Sequence, residues 1–131
     1  MAKEVSMILD TCALLWLASG SKKLSRAALK EINAASAVYV SAISGFEISL
    51  KAGQGKLELS LPVEEWFKQI AEHHGLTVLP LDLEVCIAAA KLPPIHDDPF
   101  DRFIIATAKL NDLTVVTADE QFEKYGLTVL G

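Results

Sequence analysis

The sequence predicts an α/β protein with three α/β/α layers, in which helices cover both faces of a central parallel sheet of about five short strands. Short apolar runs without polar alternation, such as residues 5–9, are typical of strands that are buried on both faces. These runs alternate with helical patterns along the chain, and right-handed crossovers between parallel strands place such helices above and below the sheet.

The composition favours a single domain, predicted to span residues 1–131. Hydrophobic residues make up 51% of the chain, a share that argues against disorder. No apolar run is long enough for a membrane-spanning helix, and Asp10 interrupts the stretch in which a signal peptide would need its apolar segment. Cys12 and Cys86 match no metal or redox spacing, as expected of incidental thiols in a cytoplasmic protein.

The first three predicted elements are one strand, residues 5–9, and two capped helices. The first helix is predicted over residues 11–19, with Asp10 or Thr11 as its N-cap and Gly20 as the residue that ends it. Ser25 suits the N-cap of the second helix, which extends to residue 35. Its apolar stripe consists of Ala28, Leu29 and Ile32.

The middle of the chain repeats this alternation. Residues 38–41 are rich in β-branched and aromatic side chains and are predicted to form the second strand. A helix over residues 43–52 follows. After a connector, a helix over residues 63–74 ends in two histidines and Gly75, a typical stop signal. The strand at residues 76–79 comes next.

Prolines and short strands organise the last third. Two prolines end a helix over residues 83–92, and Asp98 before Pro99 suits the start of a long helix over residues 99–111. The remaining predicted elements are strands at residues 113–117 and 127–130, with a short helix at residues 119–125 between them.

Two acidic residues follow predicted strands. Asp10 ends the first strand, and Asp119 comes shortly after the strand at residues 113–117. Because parallel strands place their carboxyl ends at one edge of a sheet, where open α/β sheets bind ligands, both side chains are expected at that edge.

Two further acids lie on predicted apolar sides of helices. Glu47 falls within an apolar stripe at helical spacing, and Asp101 lies between the directions of two isoleucines. Arg102 faces away from Asp101 on the helix, which indicates a solvated side chain. The stripe around Glu47 consists of Ile43, Phe46 and Leu50, and the isoleucines beside Asp101 are Ile104 and Ile105.

Four ionised carboxylates that met without a counter-ion would repel one another by about 4 kcal/mol per close pair. A divalent cation removes this repulsion, and an all-oxygen ligand set suits Mg²⁺ or Mn²⁺ rather than zinc. The net charge of −5 argues against a broad basic surface for nucleic acid. Cations held by the acids would nevertheless attract phosphate to this one place.

Each acid also has a structural interpretation. Asp10 and Asp119 suit helix N-caps, and Ser44 with Glu47 matches a capping box. Capping alone does not explain two strand ends together with two apolar helix faces. The hydroxyls of Thr11 and Thr117 are candidates for orienting the carboxylates, as are those of Ser41 and Ser44. His96 has no second His or Cys at a metal-site spacing and is not expected to bind metal.

These residues belong to an ordered set of motifs that covers nearly the whole chain. The motifs are Leu9-Asp10-Thr11 with Leu14-Leu15-Trp16, Ser41-Ala-Ile-Ser44 before Glu47-Ile48, His96-Asp97-Asp98-Pro99-Phe100-Asp101-Arg102, and Thr117-Ala118-Asp119. With this set, the sequence resembles the PIN-domain ribonucleases, specifically the VapC-type toxins of bacterial toxin–antitoxin pairs. The family's acidic quartet corresponds to Asp10, Glu47, Asp101 and Asp119, and its hydroxyl before the last acid corresponds to Thr117.

The resemblance implies a Mg²⁺- or Mn²⁺-dependent endoribonuclease that cuts single-stranded or looped RNA. It also implies a homodimer, and inhibition by a cognate antitoxin protein whose arm covers the active site. The alternative is a non-catalytic PIN-like binding module in an RNA-processing assembly. Such a module would not need an intact acidic quartet.

Three other kinds of site are excluded because this chain lacks the residues they need. A phosphotransferase of the haloacid dehalogenase type needs a second Asp where this chain has Cys12. A dinucleotide site needs its glycine motif after a strand, whereas Gly53-Gln54-Gly55 follows a predicted helix. A receiver domain needs an Asp at the end of a middle strand, but these strands end in Ser41 and Pro80.

Overall fold

The computed structural model describes residues 5–131, so the first four residues of the predicted domain lie outside the described part. Within it, five strands form one parallel sheet in the order β3-β2-β1-β4-β5. In chain order the elements are β1 Ser6–Leu9, α1 Thr11–Ser19, α2 Arg26–Ala34, β2 Ala37–Ser41, α3 Ala42–Gly53, α4 Val63–His74, β3 Leu76–Leu79, α5 Leu83–Lys91, α6 Pro99–Asn111, β4 Thr114–Val116, a 3₁₀ helix Glu120–Tyr125, and β5 Val129–Leu130.

Helices cover both faces of this sheet, which confirms the predicted three-layer α/β/α class. Met7 and Leu9 of β1 belong to a core shared with α1, α2 and α4. Ile8 points to the opposite face and belongs to a core shared with α6 and the 3₁₀ helix. Among residues 5–131, no helix is both long and apolar enough to cross a membrane.

The central strand β1 is the reference point for the site. All three of its apolar side chains are almost completely buried, as expected for a strand with helices on both faces. The chain places β2 and β3 on one side of β1, and later β4 and β5 on the other side. The carboxyl ends of β1 and β4 therefore flank the point where the strand order reverses, which is where open α/β sheets bind ligands.

The predicted bounds of α1, α4, β3 and α6 are confirmed to the residue. Asp10 caps α1 by accepting a hydrogen bond from the amide of Ala13, and Gly20 ends it in the left-handed conformation with φ of 65°. The last strand is shorter than predicted, because only Val129 and Leu130 pair with β4 at the edge of the sheet.

Part of the predicted apolar pattern on α2 and α3 is wrong. Leu29, Phe46 and Leu50 are 39%, 58% and 40% exposed, although the sequence pattern predicts a core-facing position for each. The buried face of α3 is rotated relative to the predicted one, because it contains polar residues that contact other parts of the protein. This face consists of Ile43, Ser44, Glu47 and Ile48.

The predicted capping box at the start of α3 is also wrong. Ser41 is the N-cap, and its hydroxyl accepts a hydrogen bond from the amide of Ile43 at 3.1 Å. Ser44 therefore lies inside the helix, where its hydroxyl is 2.9 Å from that of Thr11. This buried pair joins α1 to α3, and it leaves the carboxylate of Glu47 free of any capping role.

Candidate active site

The four predicted acids line one cavity of about 200 Å³ at the carboxyl edge of the sheet. Asp10 follows β1, and Asp119 lies just beyond the neighbouring strand β4. Glu47 reaches the same cavity from α3, and Asp101 reaches it from the first turn of α6. The structure thus brings together side chains from four distant parts of the sequence.

Asp10 serves as a helix cap and as a wall of the cavity at once. One carboxylate oxygen, Oδ1, accepts the 2.7 Å hydrogen bond from the amide of Ala13, and Oδ2 accepts a 2.5 Å hydrogen bond from the hydroxyl of Thr117. Burial raises the pKa of Asp10, and these two hydrogen bonds oppose the rise. The charges of Asp119 and Glu47 raise this pKa further, because like charges at one site disfavour ionisation.

Thr117 joins the two acids that follow strands. Its hydroxyl donates to Asp10 and also accepts a hydrogen bond from the amide of Asp119 at 3.0 Å. Asp119 in turn caps the 3₁₀ helix, with Oδ1 accepting from the amide of Gln121 at 2.9 Å. The position of the Asp119 carboxylate is therefore set by the turn that ends β4.

Glu47 is the acid whose environment most clearly calls for a cation. It is only 6% exposed, and Oε2 forms an ion pair with the ammonium group of Lys51 at 2.7 Å. The other oxygen, Oε1, is buried and has no hydrogen-bond partner among the described residues. A buried carboxylate oxygen without a partner is unfavourable, and a cation in the cavity would supply one.

Among the four acids, Asp101 has the pKa that is shifted most from its ordinary value. Burial, reinforced by the charge of Asp98, raises the pKa of Asp101 to about 7, against the effect of nearby His96. Asp98 itself is explained by capping, as predicted, because its Oδ1 accepts from the amide of Phe100 at 2.8 Å at the start of α6. Asp98 also lines the cavity and adds negative charge to it.

His96 contributes to the site through contacts that were not predicted from the sequence. Its ring atom Nε2 lies 2.8 Å from Oδ2 of Asp119 and 3.1 Å from Oδ2 of Asp101. One ligand-type atom from each of these three residues lies within 4.8 Å of the other two. The only sequence signal was the position of His96 in the motif that contains Asp98 and Asp101, because its partner Asp119 is 23 positions away.

The expectation that Arg102 is solvated is wrong. Its guanidinium group donates hydrogen bonds to four backbone carbonyls at the end of α5 and in the loop that leads to α6. The acceptors are Ala89 at 2.9 Å, Leu92 at 2.8 Å, Pro93 at 3.1 Å and His96 at 3.2 Å. The planar guanidinium suits such a fan of acceptors, so Arg102 holds the loop that carries His96.

Thr11 and Cys12 also line the cavity beside Asp10, but they do not supply carboxylate ligands as the four acids do. The hydroxyl of Thr11 pairs with Ser44, so Thr11 fixes the spacing of α1 and α3 beside the carboxylates. Cys12 lines the cavity, but burial and the charge of Asp10 raise the pKa of its thiol. A raised pKa disfavours the thiolate, which is the nucleophilic form of cysteine.

The residues present fit a hard divalent cation such as Mg²⁺ or Mn²⁺. The four acids offer oxygen ligands, and the pKa values of Asp10 and Asp101 are raised partly by the other carboxylates. The amino-terminal ends of α1 and α6 also lie here, since Asp10 caps one helix and Asp101 lies in the first turn of the other. Helix amino-terminal ends favour anions, including phosphate.

The chain is similar to known proteins in both sequence and fold. A match to the PIN domain family spans residues 7–127. The chain is 33% identical over 121 residues to Ribonuclease VapC22 of Mycobacterium tuberculosis. These 121 residues cover 92% of each sequence. VapBC2 from Rickettsia felis, solved bound to a promoter DNA fragment, has a TM-score of 0.72 at 14% identity over 96% of this chain and 98% of that one. A toxin-antitoxin complex from Klebsiella pneumoniae has a TM-score of 0.66 at 20% identity over 95% and 96% of the two chains.

Proposed function

Because the chain belongs to the PIN-domain family, we propose that it is a single-domain, divalent-metal-dependent endoribonuclease with Asp10, Glu47, Asp101 and Asp119 as its catalytic acids. The observation that carries this proposal is the convergence of these acids on one cavity, with a buried oxygen of Glu47 left without a partner. The name of the relative from Mycobacterium tuberculosis, a ribonuclease, supports RNA as the substrate.

We further propose that the protein acts in the cytoplasm as the toxin of a type II toxin–antitoxin pair. The Klebsiella pneumoniae structure is of a toxin-antitoxin complex, and it shares this fold over nearly the whole chain. A cognate antitoxin protein would then be the partner that keeps the ribonuclease inactive. The homodimer implied by the resemblance stays a prediction.

The four carboxylates are proposed to hold Mg²⁺ or Mn²⁺ through their oxygen atoms. When bound, a divalent cation makes a water molecule nucleophilic near neutral pH and offsets negative charge on the phosphodiester. Glu47 would contribute Oε1, the atom that has no partner among residues 5–131. Asp101 must lose its proton before it can serve as a ligand, because its pKa is about 7.

The other polar residues of the cavity keep these acids in place. The hydroxyl of Thr117 favours the ionised form of Asp10, because it donates a hydrogen bond to the carboxylate. Lys51 lies at the edge of the cavity with 42% of its side chain exposed. Its ammonium group can therefore attract the RNA phosphate toward a site that is otherwise strongly negative.

The convergence of the acids also weighs against the non-catalytic alternative. A binding module does not require four carboxylates in one partly buried cavity, where their charges raise the pKa values of Asp10 and Asp101. Such an arrangement is unfavourable for folding. Its presence therefore supports a role in binding a cation or in a reaction.

Sequencing of RNA ends after brief expression in a bacterial host tests the proposal. The wild-type protein should produce new RNA ends at defined positions, and Asp10→Asn should not, although Asn still caps α1. Asp112→Asn is the matched control, because Asp112 is exposed at the end of α6 and has φ of 51°, which Asn tolerates. New ends that are equally abundant with Asp10→Asn would overturn the assignment of Asp10, and no new ends from the wild type would overturn the ribonuclease proposal.

A further inference from the structure

His96 is held in one orientation by its own ring nitrogen Nδ1. This atom accepts a hydrogen bond from the amide of Asp98 at 3.1 Å. An accepting ring nitrogen carries no hydrogen, so in the neutral imidazole the hydrogen is on Nε2. The contact with Asp98 therefore fixes the tautomer in which Nε2 is a donor.

The loop around His96 is anchored from a second direction by Tyr125. The Tyr125 hydroxyl accepts hydrogen bonds from the amides of His96 at 2.8 Å and Ile95 at 3.2 Å, and it donates to the carbonyl of Pro93 at 2.7 Å. The ring of Phe122 packs edge-on against the imidazole, with centroids 5.8 Å apart. With the guanidinium of Arg102 on the His96 carbonyl, the backbone and the ring are both fixed.

The Nε2–H group of His96 is directed at two of the proposed catalytic acids. It lies 2.8 Å from Oδ2 of Asp119 and 3.1 Å from Oδ2 of Asp101. These carboxylates come from separate elements, α6 and the turn after β4, and like charge pushes them apart. One shared donor contacts both Oδ2 atoms and so holds together two carboxylates that line the same cavity.

From these contacts we infer that His96 is a positioning residue that orients Asp101 and Asp119 for cation binding, and that it is not itself a ligand. The inference rests on the proposed function, since it concerns the same site. Nε2 could bind a metal only in the other tautomer. That tautomer would place a hydrogen on Nδ1 facing the amide hydrogen of Asp98. The hydrogen bond from this amide and the one from Nε2 to Asp119 would then both be lost.

Nitrogen NMR of the His96 ring tests the tautomer in the wild-type protein. The spectra are recorded at a pH at which the imidazole is neutral, without metal and with saturating Mg²⁺. The inference predicts hydrogen on Nε2 in both spectra. Hydrogen on Nδ1 in the Mg²⁺-loaded protein would overturn it, because Nε2 would then be free to act as a ligand.

Substitutions of His96 test the positioning role through Mn²⁺ affinity, measured by electron paramagnetic resonance without RNA. His96→Phe keeps a planar ring and removes the contacts of Nδ1 with Asp98 and of Nε2 with the two acids. It should therefore weaken Mn²⁺ binding by about tenfold or more. His96→Gln restores an N–H donor near the position of Nε2 and should recover much of the affinity. His73→Gln, on an exposed histidine at the end of α4, is the control and should bind as the wild type does.

The outcomes separate this inference from the proposed function. Wild-type Mn²⁺ binding that His96→Phe leaves unchanged overturns the inference and leaves the proposed function intact. Equal losses in His96→Phe and His96→Gln also overturn the inference, because a donor alone would then not restore the site. A wild-type protein that binds no Mn²⁺ contradicts the proposed function instead. If His96→Phe fails to fold, the wild-type NMR spectra and His96→Gln still decide the question.

Discussion

The hydroxyl of Thr117 donates a 2.5 Å hydrogen bond to Asp10 across 107 positions of sequence. The same hydroxyl accepts the amide hydrogen of Asp119, so a single side chain joins the ends of the adjacent strands β1 and β4. Both hydrogen-bond partners of the Thr117 hydroxyl, Asp10 and Asp119, are proposed catalytic acids. Thr117 therefore connects the topology of the sheet directly to the geometry of the site.

Thr117→Val should weaken both metal binding and RNA cleavage. Valine keeps the shape of the side chain but removes the hydrogen-bond donor to Oδ2 of the buried Asp10, which raises the pKa of Asp10 further. We expect metal affinity to fall by about 10- to 100-fold and the free energy of unfolding to fall by about 1.5–3 kcal/mol. Calorimetric Mn²⁺ titration and urea unfolding measure these losses. Thr117→Ser is the control, and a Thr117→Val protein that matches it would show that the hydroxyl has no role.

The stability of the metal-free protein should fall as the pH rises from about 4 to about 7. In this pH range the Asp101 carboxyl keeps its proton only in the folded state. Its pKa is about 7 in the folded protein, and its ordinary value of 3.8 applies to the unfolded chain. Raising the pH removes that proton and forces a charge into a partly buried site. The two pKa values correspond to at most about 4 kcal/mol, which solvent access to the cavity reduces.

Asp101→Asn isolates this effect because it removes the titrating group. In urea unfolding without metal, we expect Asp101→Asn to be more stable than the wild type near pH 8, with the difference shrinking near pH 5. A difference that stays constant across this range would show that Asp101 ionises normally. Asp112→Asn provides the matched baseline for loss of one carboxylate.

Lys51→Met should increase the stabilisation that Mg²⁺ provides. Lys51 is the counter-ion of Glu47 in the metal-free protein, and its positive charge opposes a cation in the same cavity. Without metal, we expect the loss of this half-exposed ion pair to lower stability by about 1 kcal/mol. Melting temperatures with and without Mg²⁺ measure both effects. The exposed Lys56→Met is the control, and an Mg²⁺ shift equal to that of the control would refute the prediction.

Arg102→Lys should destabilise the loop between α5 and α6. A lysine ammonium cannot reach four carbonyls that the planar guanidinium now contacts, so some of them lose their donor. We expect a loss of about 1–3 kcal/mol in the free energy of unfolding, measured in urea against the exposed Arg26→Lys. Equal stability of the two variants would mean that the carbonyls are satisfied without Arg102.

Sequence patterns predicted the elements best where their ends depend on contacts between residues close in sequence. Asp10 and Gly20 at the ends of α1, and Asp98 before Pro99 at the start of α6, depend on backbone groups a few residues away. Such signals are readable from the chain alone. The positions of Asp10 and Asp119 at the edge of the sheet followed from the same reasoning, because strand ends are also local properties. The burial of Glu47 was predicted correctly, although part of the apolar stripe that predicted it is exposed.

The failures concern residues whose partners are distant or whose burial is decided by packing. Phe46 on α3 follows an apolar period but lies on the outer face, where its ring is 5.8 Å from that of Phe100. His96 lies in a loop without periodicity, and its contact with Asp119 exists only because β4 returns beside β1. Arg102 looked solvated because a helical wheel does not show the carbonyls of the preceding loop.

We propose that the four convergent acids hold a divalent cation that enables RNA cleavage. The most direct measurement follows cleavage of a looped RNA by purified protein, with Mg²⁺ or with excess chelator, for the wild type, Asp10→Asn and Asp112→Asn. We expect Mg²⁺-dependent cleavage by the wild type and by Asp112→Asn, and a rate at least about 100-fold lower for Asp10→Asn. Cleavage by the wild type that persists in chelator, or full activity of Asp10→Asn, would contradict it.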